Sequence, residues 1–323
     1  MIFRHAATLA TALLLGLTTA GCGDDDTGDP KSAKGLEKTT LNVGTMPIVD
    51  DAGVQLAIDR GLFKAEGLTV KTRMVKGGAE AVPALKGGAL DLSFGGYTTW
   101  FAAQSQRVMD LKLVADSYRM RPGVLVLAVP KNSPVKRPKD LAGRKIAVNV
   151  KHNLASLLTR TALAPHGVKV DEEKNTVEVP YPQMEAALKN GSVDAAFMPE
   201  PFISQAAKNI GARTVVDLGK GPTATAPIAG YAATADFATK HPKTVAAFQR
   251  AVNKAQKLLA DEAVRKDIIP KYTEIPAPMV AKLTYGVFPT DLDPARLKPM
   301  NDMMIEQGYL KQPVDIDSML VGP

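Results

Sequence analysis

The chain has 323 residues, a formal net charge of +7, 45% hydrophobic and 5% aromatic residues, 26 Gly and 23 Pro, which suits about two well-punctuated globular domains. The positive sign favours anions in a general way, but Lys and Arg are scattered, no recognition motif accompanies them and aromatics for base stacking are sparse, so no nucleic-acid partner is expected. One cysteine excludes an internal disulfide and, with only 4 His, leaves too few ligands for a zinc site of ordinary spacing, so no metal site is expected.

At the N-terminus Arg4, an apolar run from Ala6 to Leu17 and the small residues Thr19, Ala20 and Gly21 read as a secretory signal peptide over residues 1–21. The run is too short to span a bilayer. The segment resembles a bacterial lipoprotein signal, which implies that Cys22 becomes the first mature residue and receives lipid. Several acyl chains, each contributing about 0.8 kcal/mol per buried methylene, would then anchor the protein to the cell membrane on its extracytoplasmic side. The alternative is an ordinary secreted protein cut nearby, with Cys22 discarded or left free. A nucleophilic Cys22 is disfavoured, because its acidic Gly/Asp surroundings supply neither a base nor a packed pocket. Residues 22–39 are rich in Gly, Asp, Lys and Thr, bury no core and are expected to be a disordered tether.

Next comes a strand near Leu41, the loop "TMPIVDDAG", and an amphipathic helix with its stripe on Val54, Ala57, Ile58, Gly61 and Leu62. A strand at Gly67 to Val70 follows, then a helix ending in "ALKGG", a strand to Phe94 and the loop "GGYTTW". An apolar strand at Val124 to Val129 leads to a second round: a strand at Ile146, the loop "VNVKHN", and a helix striped on Leu154, Leu157, Leu158, Thr161 and Ala162. A strand at Gly167 to Val170, another helix, a strand to Phe197 and the loop "MPEPF" complete it. "ALKGGALDLSF" from Ala84 and "ALKNGSVDAAF" from Ala187 agree at six of eleven positions, among them Gly88/Gly191, Asp91/Asp194 and Phe94/Phe197. A separation near one hundred residues is too long for a solenoid repeat, so the halves read as two facing α/β lobes. After "TAPIAGYAAT" a helix striped on Val245, Phe248, Val252, Ala255 and Leu259 is expected to pack back on the first lobe, which makes lobe I residues 40–127 and 228–323 and lobe II residues 128–227. The two crossings near Val124 and Pro227 are how a hinge is built.

Ligands of α/β sheets bind beyond the carboxyl ends of the strands, where helix N-termini present free N–H groups and partial positive charge. The four loops named above sit there, two from each lobe. The candidate ligand-binding residues are Met46, Gly96, Tyr97, Thr98, Lys151, Asn153 and Glu200. Tyr97 is expected to face the cleft while Thr98 and Thr99 cap their helix. Asp50 and Asp51 read first as N-caps and only second as ligand groups. His152 is as readily a capping or solvent-facing residue as a ligand contact. Glu200, between Pro199 and Pro201, divides evenly between a helix-start acid and a ligand group. No Gly-x-Ser-x-Gly elbow, phosphate-binding loop or dinucleotide fingerprint appears, so no catalytic residue and no cofactor are expected.

The ordered set "GLFKAEGLTV", "GGAEAVPALKGGALDLSFGG", "SPVKRPKDLAGRKIAVN" and "NGSVDAAFMPEPF" resembles the nitrate/sulfonate/taurine and thiamine-precursor group of substrate-binding proteins of ABC importers. The resemblance implies a two-lobed periplasmic-binding-protein fold of Venus-flytrap type II. It also implies a monomer that closes on a small solute, with permease and ATPase subunits as partners and no enzymatic activity. It matches Glu200 to the acidic residue of the family's Glu-Pro motif. Thiamine-precursor pyrimidines and other heterocycles are alternative ligands. The pyrimidine-precursor synthases of the same fold group are the enzymatic alternative, but they carry a Cys-rich motif that is absent after Cys22. A lipoprotein serving a sensor uses the same residues. Helix starts at Thr98 and Asn153 with Lys151 nearby suit an oxyanion, while Glu200 in the same cleft asks for a donor, so the expected solute is a small organic anion of sulfonate or taurine type.

Overall fold

The structure is a computed structural model that describes residues 35–321. The expected signal peptide, Cys22 and most of the expected tether lie outside the described residues. The chain is docked before residue 39, however. The Glu37 carboxylate accepts from the Lys243 and Thr244 backbone N–H groups at 3.1 and 2.9 Å, and Lys38 pairs with Asp91 at 2.8 Å.

The ten strands among the described residues are β1 (Thr40–Thr45), β2 (Thr69–Met74), β3 (Leu92–Gly96), β4 (Leu111–Arg119), β5 (Leu125–Val129), β6 (Ile146–Val148), β7 (Thr176–Glu178), β8 (Ala195–Pro199), β9 (Arg213–Asp217) and β10 (Pro227–Thr234). They form two sheets of five, ordered β2-β1-β3-β10-β4 and β7-β6-β8-β5-β9. In each sheet one strand opposes its neighbours: β10 runs antiparallel to β3 and β4, and β5 antiparallel to β8 and β9. These are the strands by which the chain enters each sheet after crossing from the other. β5 lies whole in the second sheet, so the first crossing falls at residues 120–124 and a division at 127 would cut a strand.

The duplication seen in the sequence has a structural cause. Asp91 and Asp194 each use one carboxylate oxygen to accept a backbone N–H of the neighbouring strand or its approach, from Asn42 and Lys145, both at 2.9 Å. The other oxygen of each meets a cation, Lys38 at 2.8 Å and Arg144 at 3.2 Å. The conserved spacing thus pins the start of β3 and β8 in the same way, a charge-assisted bond in each half.

Packing follows apolar periodicity with two exceptions. Val245, Phe248, Val252, Ala255 and Leu259 are all buried, and Phe248 stacks on Phe63 with centroids 5.3 Å apart and meets Tyr231 edge-on at 5.7 Å. This seals the Pro242–Leu258 helix onto the first sheet. In the Ala52–Asp59 helix Leu56 takes the buried place expected of Ile58, which is 37% exposed, because the buried face centres on Gly53, which lies against Gln256, and Ala57, and Ile58 falls at its edge. The strand expected at Gly167 to Val170 is absent; Asp171 caps a short helix, Glu172–Asn175, through the Glu173 and Lys174 N–H groups, and pairing with β6 begins only at Thr176.

Candidate functional site

Between the two sheets lies a cavity of ≈ 70 Å³, partly open to solvent, with space for several water-sized groups. Its floor is apolar and duplicated: Phe94 in the middle of β3 and Phe197 in the middle of β8 both line it. Polar groups come from the loops beyond the strand ends. Asp50 follows β1 beside the apolar Met46 and Ile48, Thr98 and Thr99 follow β3, and Asn149 and Asn153 follow β6.

Three helix starts reach the cavity: Gly78–Lys86, Tyr97–Ser105 and Leu154–Leu163. The first two have no side-chain cap, although in the first the Glu80 N–H turns back to the Gly77 carbonyl at 3.1 Å, and the partial positive charge of each helix start points at the same space. The third is capped by Asn153, whose Oδ1 accepts from the Ala155 N–H at 2.9 Å while its Nδ2 donates to Asn149 at 3.3 Å. Two glycines permit this convergence. A Cβ on Gly78 would lie 2.2 Å from the Thr99 hydroxyl oxygen, a clash, while one on Gly96 would reach ordinary contact, 3.8 Å, with Leu154 Cβ across the cleft, so that a longer side chain there would extend into the space between the sheets.

Of the seven expected ligand residues, Met46, Gly96, Thr98 and Asn153 line the cavity. Thr98 does not cap its helix; its hydroxyl is buried without a hydrogen-bond partner. Tyr97, Lys151 and Glu200 are not brought to the cavity. Tyr97 is fully buried, its ring entering a slot left by Gly230, and its hydroxyl donates to Asp116 at 2.9 Å. Lys151 turns outward, its N–H donating to Glu178 at 2.8 Å and its ammonium pairing with Glu173 at 3.0 Å. The short helix that displaced the expected strand supplies that acid. His152 faces solvent, 65% exposed, with its ring against Glu173 at 3.1 Å. Glu200 is a helix-start acid: it accepts from the Ser204 N–H at 3.1 Å and hydroxyl at 2.8 Å, and from the Thr284 N–H at 3.3 Å.

Asp50 and Asp51 do not cap the Ala52–Asp59 helix through their side chains. Asp51 is satisfied, accepting from the Met46 N–H at 3.1 Å and from the Tyr231 hydroxyl. Asp50 is 5% exposed and lines the cavity, and burial pushes its carboxyl up to about 7 with only its own backbone N–H to oppose the rise. No Lys, Arg or His is among the described residues that line the cavity. Gly77, Gly78 and Tyr181 line it without having been expected, and Asn149 does so from an expected loop without having been singled out. The Gly-Gly pair before a helix was the available signal for the first two, since it leaves helix-start N–H groups unshielded.

The model of the NMT1-like family matches residues 34–270. A putative aliphatic sulfonates-binding protein of Escherichia coli is 26% identical over 253 residues, 76% of this chain and 77% of that protein. The taurine-binding periplasmic protein of Escherichia coli is 26% identical over 206 residues, 61% of this chain and 60% of that protein. The chain spans only about a third of the bicarbonate transport ATP-binding protein CmpC of Synechocystis, 26% identical over 70% of this chain and 36% of that one. An ATP phosphoribosyltransferase of Chlorobium phaeovibrioides is 30% identical over 158 residues, 48% of this chain and 52% of the enzyme. Among solved structures, the alkanesulfonate-binding protein SsuA of Xanthomonas axonopodis superposes with a TM-score of 0.74 at 21% identity, covering 88% of this chain and 98% of that one. That likeness establishes the periplasmic-binding-protein fold, in which two sheets joined by paired crossings face a common cleft. With the family model spanning most of the described residues, from ahead of β1 into the helices that follow β10, this chain belongs to the NMT1-like family.

Proposed function

We propose that this protein is the extracytoplasmic solute-binding component of an ABC importer, taking a small organic anion of sulfonate or taurine type between its sheets and presenting it to a permease and its ATPase. The observation that carries the ligand class is the meeting of three helix starts around one cavity, with the Thr98 hydroxyl buried and unpartnered beside them. Such N–H groups hold an oxyanion without a Lys or Arg in the site. A carrier role, as opposed to an enzyme, is supported by the sulfonates-binding relative matched over three quarters of the chain. Lipidation at Cys22 belongs to the same proposal, as do a monomeric state and a closing motion about the two crossings between the sheets.

Calorimetry with ethanesulfonate, taurine, nitrate and bicarbonate tests the reading. The sulfonates are expected to bind and the inorganic anions to bind more weakly, because only the former fill the apolar floor at Phe94 and Phe197 as well as the helix starts. Binding of nitrate or bicarbonate alone would keep the carrier and overturn the ligand class. Intact mass of the membrane fraction tests the anchor: an acylated Cys22 start is expected, and protein found wholly in the medium with another start overturns it.

A further inference from the structure

A carboxyl enclosed in a cavity must be matched by a cation, a donor or a proton, because an ionised carboxylate without any of them is strongly disfavoured in a desolvated site. Asp50 has none of the first two among the described residues. Its side chain makes no hydrogen bond beyond its own backbone N–H. The titratable groups that face it are Asp51 on the same turn, Tyr118 of β4, Tyr181 of the second lobe, and Tyr272 at the end of the Glu262–Tyr272 helix, all acids or phenols. Tyr272 donates to the Ile48 carbonyl, Asp51 accepts from the Tyr231 hydroxyl and Tyr118 accepts from the Gly286 N–H, and neither the Tyr118 nor the Tyr181 hydroxyl makes a hydrogen bond to the Asp50 carboxylate among the described residues. The cavity therefore carries N–H donors at its helix starts, the Thr98 hydroxyl, and one carboxylate, Asp50, without a cation or donor beside it among the described residues.

Resting on the oxyanion reading above, we infer that Asp50 selects the ligand's second end, a cationic N–H group such as an ammonium or amidinium, so that the solute is a zwitterion and not a plain anion. An ammonium that meets Asp50 stabilises its ionised form and displaces the proton that burial favours there. Binding of such a solute strengthens as pH rises. A plain anion needs the protonated carboxyl beside it, and its binding weakens over the same range. The two ligand classes thus predict opposite signs.

Taurine and ethanesulfonate share the sulfonate and differ in the ammonium, which makes them the probes. For the full chain, taurine affinity is expected to rise about tenfold between about pH 6 and about pH 8, with proton release seen as a buffer-dependent heat, while ethanesulfonate affinity falls. In Asp50→Asn, taurine affinity at the higher pH is expected to drop by about ten- to a hundredfold, and its preference over ethanesulfonate to vanish. Retained ethanesulfonate binding by the variant shows that it is folded. Equal binding of both probes by the wild type, or a taurine preference that survives Asp50→Asn, overturns this inference and leaves the sulfonate reading standing. Failure of both probes to bind overturns the sulfonate reading, and this inference with it.

Discussion

Thr98 and Tyr97 are neighbours at one helix start, yet about 100° of helical rotation sends one to the cavity and the other into the core. Replacing Thr98 with Val keeps the shape and removes a buried hydroxyl that has no partner in the ligand-free protein. Thermal stability is therefore expected to hold or rise, while sulfonate affinity measured by calorimetry falls about tenfold, the scale of one hydrogen bond to a charged group. Unchanged affinity would remove Thr98 from the site. Tyr97→Phe should behave the opposite way. It deletes the bond to Asp116, costs about 1 kcal/mol of stability, and leaves affinity alone. The sequence placed a polar helix start in the cleft but carried no signal for rotation about the helix axis, which depends on a slot left by the distant Gly230. Asp50 was legible only as a second choice, because its isolation from every cation is a property of tertiary packing.

At the scale of elements, the repeat was the most legible feature, since Asp91 and Asp194 do the same work at equivalent strand starts. The strand at Gly167 to Val170 was misread because the parallel between halves breaks there, where Asp171 and its short helix intervene. That insertion also explains Lys151, which a sequence reading places beside an anion and the structure pairs with Glu173. Glu200 is the clearest case of an element-level role. Its carboxylate holds the start of the Phe202–Ile210 helix through Ser204 and reaches Thr284, in a segment that pairs with β4 through Val287 and Arg119. It therefore ties the two sheets. Glu200→Gln is expected to lower stability by about 1 kcal/mol, because an amide oxygen replaces a charged acceptor. The ratio of taurine to ethanesulfonate affinity should stay at its wild-type value, since Glu200 does not line the cavity. A changed ratio in titration calorimetry would return Glu200 to the ligand.

For the whole molecule, the acids gathered beneath the cleft make stability depend on pH in an unusual direction. Burial raises the carboxyls of Asp50 and Asp51 to about 7, and that of Asp116 to about 6 despite its pairing with Arg119; Glu200 moves the same way. The folded protein thus keeps protons that the unfolded chain has already released from carboxyls of ordinary pKa near 3.8. Their contribution to stability is complete below that ordinary value and is lost as pH rises through the folded values, by about 1.4 kcal/mol per pH unit for each proton retained. Glu37 and Glu172, whose carboxyls are lowered, act in the opposite sense, but only at and below the ordinary carboxylate range. Between about pH 5 and about pH 8 the raised acids therefore dominate, and the ligand-free protein is expected to melt several degrees lower at the upper end. Asp50→Asn should flatten that slope by removing one of the retained protons, and a zwitterionic ligand should flatten it too, by supplying the missing cation. A melting temperature that stays level or climbs across this range, followed by scanning calorimetry of the ligand-free wild type, would mean that these carboxyls are solvated in solution and that the cleft stands open enough to hydrate them.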